Sequence, residues 1–86
     1  MVTKYVQAAM RRATYKLLEE GEGYFGRIPQ LQGVWASAPT LEECREELQE
    51  TLEDWILFRI SEHLDIPPVD GIDLNIRELS KQEEVA

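Results

Sequence analysis

The sequence predicts an α+β fold: a two-layer sandwich of an antiparallel β-meander, a long helix and a fourth strand, with an extra helix at the N-terminus. Three observations predict it. Thr40-Leu41-Glu42-Glu43 is a capping box that opens a long helical stripe. Short strand-like segments separated by glycine turns precede that helix. The chain has 86 residues, enough for a single domain (1–86) with one compact core.

The elements follow in order. Val2, Val6, Ala9 and Ala13 recur at helical spacing, with Tyr5 and Met10 on the same side, so 2–12 is predicted helical. At about three turns this helix is marginal alone and needs something to pack on. A strand is predicted over 13–20 through Tyr15, Leu17 and Leu18. Gly21-Glu22-Gly23 then turns the chain, because glycine takes positive φ without steric cost. A second strand is predicted over 24–28, where Gly26 signals a bulge or a close approach. After a loop over 29–33, a third strand over 34–38 places Val34 and Ala36 on one face and Trp35 and Ser37 on the other.

Leu41, Cys44, Leu48, Leu52 and Trp55 form the apolar stripe of the long helix, which Pro67-Pro68 ends near Leu64 or Asp65. Toward that end Trp55, Ile56, Leu57, Phe58, Ile60 and Leu64 cover most of the circumference. A sheet covers only one side of a helix, so this apolar surface needs a second cover: the N-terminal helix, a symmetry mate or a foreign partner. Ile72, Leu74 and Ile76 alternate with polar residues, predicting a fourth strand over 70–79. The core thus spans 13–79, and 80–86 is a polar tail.

Composition narrows the function. The net charge is −8, unevenly placed: residues 1–38 carry five basic and three acidic groups, residues 39–86 four basic and fourteen acidic. The acidic part repels phosphates and attracts basic partners, so no direct nucleic-acid binding is expected. A membrane span is not expected either, since no apolar run is long enough, and neither is a signal peptide; a cytoplasmic protein is the expectation. One cysteine, Cys44, excludes an internal disulfide and any paired-thiolate zinc site, and reads as a small buried residue. The sole histidine, His63, has no nucleophile or second ligand at a useful spacing; it reads as a helix C-terminal residue. The carboxylates Glu42, Glu43, Glu46, Glu47, Glu50, Glu53 and Asp54 read as a solvated helix face. Gly21 to Gly26 matches a Gly-x-Gly-x-x-Gly string, but between two strands rather than before a helix. No enzyme, metal or cofactor is expected.

The stretch from Gly23-Tyr24-Phe25-Gly26, through Pro29-Gln30-Leu31-Gln32-Gly33 and Ser37, to Thr40-Leu41-Glu42-Glu43 resembles the signature of the HicB family of antitoxins. The resemblance implies a partial ribonuclease-H-like fold, β-β-β-α-β. It also implies a partner, the small basic toxin HicA, an mRNA ribonuclease that the antitoxin keeps from its substrate. Many members add a C-terminal DNA-binding segment; too few residues follow the fourth strand here for one to be expected. The first predicted strand centres on Tyr15-Lys16-Leu17-Leu18, without the carboxylates that a ribonuclease-H site needs to hold magnesium.

The expected function is neutralisation of such a toxin by steric occlusion. The alternative is a free-standing oligomeric module without a toxin partner. Tyr24, Phe25, Ile28, Gln30, Leu31 and Trp35 are the candidate aromatic and turn contacts, with Glu42 and Glu46 the candidate charged ones. Trp55, Ile56, Phe58, Ile60 and Leu64 are the candidate interface of a homodimer or higher even-numbered oligomer.

Overall fold

The computed structural model describes residues 2–74. Its elements run α1 (Val2–Arg11), β1 (Thr14–Leu17), β2 (Tyr24–Arg27), β3 (Trp35–Ala38) and α2 (Leu41–Ser61). The three strands form one antiparallel sheet in the order β1-β2-β3, the meander that short glycine-bearing connections favour. Pairing sets Tyr15 opposite Gly26 and Gly26 opposite Ala36. Because strand side chains alternate, Tyr15, Gly26 and Ala36 lie in one row toward α2, and Leu17, Tyr24 and Ala38 in the next. Gly26 marks a close approach: a Cβ there would stand 2.8 Å from the Tyr15 ring and 3.2 Å from the Cys44 sulfur.

α2 starts as its sequence dictates. The Thr40 hydroxyl accepts the Glu43 N–H at 3.1 Å, and the Glu43 carboxylate accepts from that same hydroxyl at 3.0 Å. Cys44, Leu48, Leu52 and Ile56, four residues apart, are buried. Leu41, in the exposed first turn, does not join them, and Trp55 is only half-buried. The helix stops earlier than the prolines require. The His63 N–H donates to the Ile60 carbonyl (3.1 Å) and the Leu64 N–H to the Arg59 carbonyl (2.8 Å). This is a Schellman closure, with His63 at φ 57 in the place glycine usually takes.

The cover for the far end of α2 is supplied in part by α1. Tyr5, Val6, Ala8 and Ala9 are buried in the same core as Ile56, together with Ile66, Val69 and Leu74 from the returning chain. Two contacts tie α1 to that return. The Tyr5 hydroxyl donates to the Pro67 carbonyl at 2.6 Å, and Arg12 pairs with Asp70, its Nε at 3.0 Å from Oδ1. The predicted fourth strand is corrected over its described part. Asp70 and Gly71, both at positive φ, make a two-residue turn that bridges Val69 to Ile72, and residues 70–74 pair with none of the three strands. Residues 75–79 of that prediction and the tail over 80–86 lie outside the described residues.

Candidate functional site

The expected contact residues separate onto different surfaces. Ile28 and Leu31 are buried and offer no contact surface, each with 1% of its surface exposed. The reason is local. The Ile28 N–H donates to the Val34 carbonyl, the Leu31 N–H to Ile28, and the Val34 N–H to Leu31, at 2.9 to 3.2 Å. The loop curls on itself, and Ile28, Leu31 and Val34 turn into the core, leaving Pro29 and Gln30 exposed at its tip. Tyr24 is half-buried in the row that faces α2.

Phe25 and Trp35 lie on the opposite, uncovered side of the sheet. They stack with ring centres 5.8 Å apart, and Trp35 is 56% exposed. Register and pleat put Thr14, Lys16, Arg27 and Ser37 on the same face, which therefore carries two cations and no carboxylate. Glu42 and Glu46 sit across the molecule on α2, in an exposed set with Glu43, Glu47, Glu50, Glu53 and Asp54. Glu43, Glu47, Glu50 and Asp54 recur at i, i+4, i+7 and i+11 and form one helical stripe. The aromatic and the acidic candidates thus occupy opposite faces of a two-layer sandwich.

The candidate oligomer residues divide as well. Ile56 is fully inside the core. Trp55 and Ile60 are half-buried; the Arg59 guanidinium lies 5.0 Å from the centre of the Trp55 ring, and its Nε donates to the Asp65 carbonyl at 2.7 Å. Phe58 and Leu64 remain exposed, as does Leu57 beside them. Reading the sequence for aromatics and acids missed the surface between the helices. There Val2, Val6 and Met10 of α1 face Ile56, Leu57 and Ile60 of α2 across a groove of about 650 Å³. The helical spacing of Val2, Val6 and Met10 was the available signal.

Chemically reactive groups are few. Cys44 is buried, with its thiol near the Ala36 carbonyl (3.6 Å); burial pushes its pKa up, and Glu47 adds to the shift. A thiol held protonated in this way is a poor nucleophile. His63 is exposed just past the C-cap. Among the described residues no three His, Cys, Asp or Glu side chains converge on a common point, and no helix is long and apolar enough to cross a membrane.

A three-stranded meander covered by one long capped helix defines a small α+β domain. Within that class, the UPF0150-like family matches residues 4–67, and the chain belongs to it. The crystal structure of TTHA0281 from Thermus thermophilus is similar, with a TM-score of 0.80 at 44% identity over 85% of this chain and 90% of that one. No curated protein matches the sequence.

Proposed function

We propose that this chain is a HicB-like, antitoxin-type binding protein that neutralises a small basic HicA-type ribonuclease by covering it, with no catalysis of its own. The observation that carries the reading is the acidic face of α2, where seven carboxylates are exposed along one helix. A field of that sign speeds encounter with a cationic protein, raising association from about 10⁵–10⁶ M⁻¹s⁻¹ toward about 10⁸ M⁻¹s⁻¹ at low salt. The family-like turn and capping sequences support the same reading. So does β1, whose α2-facing side holds the half-buried Tyr15 and the exposed Leu17 rather than a carboxylate pair. Occlusion needs only a rigid surface, and α2 is fixed along its length by Cys44, Leu48, Leu52 and Ile56.

The test is co-expression with the adjacent small basic reading frame. A neighbour that arrests growth alone, is silenced by this chain and co-purifies with it is the expected result. If no neighbour is toxic and nothing is retained, the chain is a free-standing module and the proposal fails. Reversing Glu43, Glu47, Glu50 and Asp54 to lysine together should slow association by at least about tenfold at low salt and much less at high salt. An unchanged rate at low salt would remove this face from the mechanism.

A further inference from the structure

The open face of the sheet is a small grid. Register and pleat set Lys16, Phe25 and Ser37 in one row and Thr14, Arg27 and Trp35 in the next. Two aromatics, two cations and two hydroxyls fill the six positions, with no carboxylate, in a chain that has 17 acids. Each cation stands directly opposite one ring, Lys16 opposite Phe25 and Arg27 opposite Trp35. Among the described residues neither Lys16 nor Arg27 makes an ion pair, and both are exposed. The two rings stack on each other, yet Trp35 keeps 56% of its surface in the open. Shallow hollows lie on either side of Phe25 and Arg27, one bounded by Thr14, Lys16 and Leu18, the other by Pro29, Gln32 and Trp35.

We infer that this face binds single-stranded nucleic acid, with bases stacking on Trp35 and Phe25 and phosphates held by Arg27 and Lys16. The side chains select this occupant. Two cations repel a basic protein, and an apolar partner would bury both of them unpaired, which is costly. An acidic peptide would answer the cations but leave the rings without a stacking partner. A nucleotide strand brings a planar base and a phosphate together in each unit, and the face offers a ring and a cation together twice. The acidity that argues against nucleic acid belongs to residues 39–86. The face is built from residues 14–37 alone, and α2 lies on the other side of the sheet. The acids of the first part, Glu19, Glu20 and Glu22, fall in the β1–β2 connection, past the end of the face. This use of the sheet goes beyond the toxin-neutralising role, which rests on α2.

The experiment titrates the full chain with a short oligouridylate, without any toxin, so that its outcome is separate from that of the antitoxin proposal. A Trp55→Phe background leaves Trp35 as the sole indole. Quenching of Trp35 emission with a Kd of roughly 10–100 µM is expected at low salt. By anisotropy of the labelled oligonucleotide, Trp35→Ala should weaken binding by about tenfold or more and Trp35→Tyr should recover most of it, with far-ultraviolet circular dichroism unchanged in both. With two phosphates held, log K should fall with log salt at a slope of about −1.4, and Lys16→Gln or Arg27→Gln should each bring the slope to about −0.7. No binding at about 1 mM overturns the inference, as does binding that Trp35→Ala leaves unchanged. Slopes that neither cation variant alters overturn the phosphate contacts, and with them the choice of nucleic acid. An oligoglutamate peptide that binds as tightly would make this a site for acidic peptides instead. Trp35 emission that shifts with protein concentration alone would give the face to a second copy, and overturns the inference as well.

Discussion

The two halves of α2 solve different problems. The first half is one-sided: Cys44 and Leu48 face the sheet and acids face water, so a single neighbouring layer suffices. The second half is apolar on several sides. Ile56 is enclosed by α1 and the returning chain as well as by the central core, while Leu57 and Phe58 remain in the open. The difference teaches that the sheet alone covers only the start of this helix. The rest depends on residues that are the first and the last of the described chain.

Alanine substitution gives the strongest test of that contrast. Leu48→Ala and Ile56→Ala should each cost about 2–5 kcal/mol in urea unfolding, because each vacates a filled interior site, whereas Leu57→Ala in the monomer should fall within about 0.5 kcal/mol. Similar losses at positions 56 and 57 would mean that the second half is not enclosed as described. At the next level, each half has its own small lock. Thr40→Ala removes the N-cap of the first half and should cost about 1 kcal/mol. Tyr5→Phe removes the hydrogen bond to Pro67 that fastens the cover of the second half, and should cost about 0.5–1.5 kcal/mol. Amide exchange separates them: the first change should loosen residues near 41–46, the second residues near 5–9 and 56–60, and a uniform loosening would argue against two separate supports.

The least abrupt effect is one of pH. Burial pushes the Tyr5 phenol up to about 12, with Arg59 opposing the shift and Asp73 adding to it. Unfolded, the phenol titrates near 10, so the folded state holds its proton more tightly. The stability linked to that proton is complete below pH 10 and is lost as the pH rises from 10 to about 12. Burial raises Tyr15 as well, so Tyr5→Phe should reduce the fall in urea midpoint over this window without abolishing it. Equal falls in the two proteins would show that Tyr5 is not the group responsible.

The first half of α2 was legible because a helix converts sequence spacing directly into direction. Thr40 to Glu43 announced the start, and Cys44, Leu48 and Leu52 the inward face. Ala36 was legible for the matching reason in a strand, whereas Val34, expected in that strand, lies just before it. Ile28 and Leu31 were not: a loop has no period, and their burial follows from backbone hydrogen bonds between residues 28 and 34. Ile56 continues the spacing of Cys44, Leu48 and Leu52, but Leu57 and Phe58 beside it are equally apolar, so composition did not show which of the surrounding surface stays open. The early helix end was hidden because a histidine at positive φ carries no compositional signal, whereas the prolines that follow it do. The aromatic and acidic candidates were each identified, but their opposition across the sandwich depends on register and layer order.

The ties between α1 and the chain beyond α2 also set an order of events at synthesis. Tyr5 must wait for Pro67, 62 residues later, and Arg12 for Asp70, 58 residues later. At about 5–20 residues per second that is a delay of about 3–12 s, during which a ten-residue helix has no dock and is marginal in water. The dock for α1 is therefore complete only once residues 67–70 have followed α2. A chain cut before residue 67 would keep α1 but lose both ties, and should leave bare the face of Tyr5, Val6, Ala8 and Ala9 that the described chain buries.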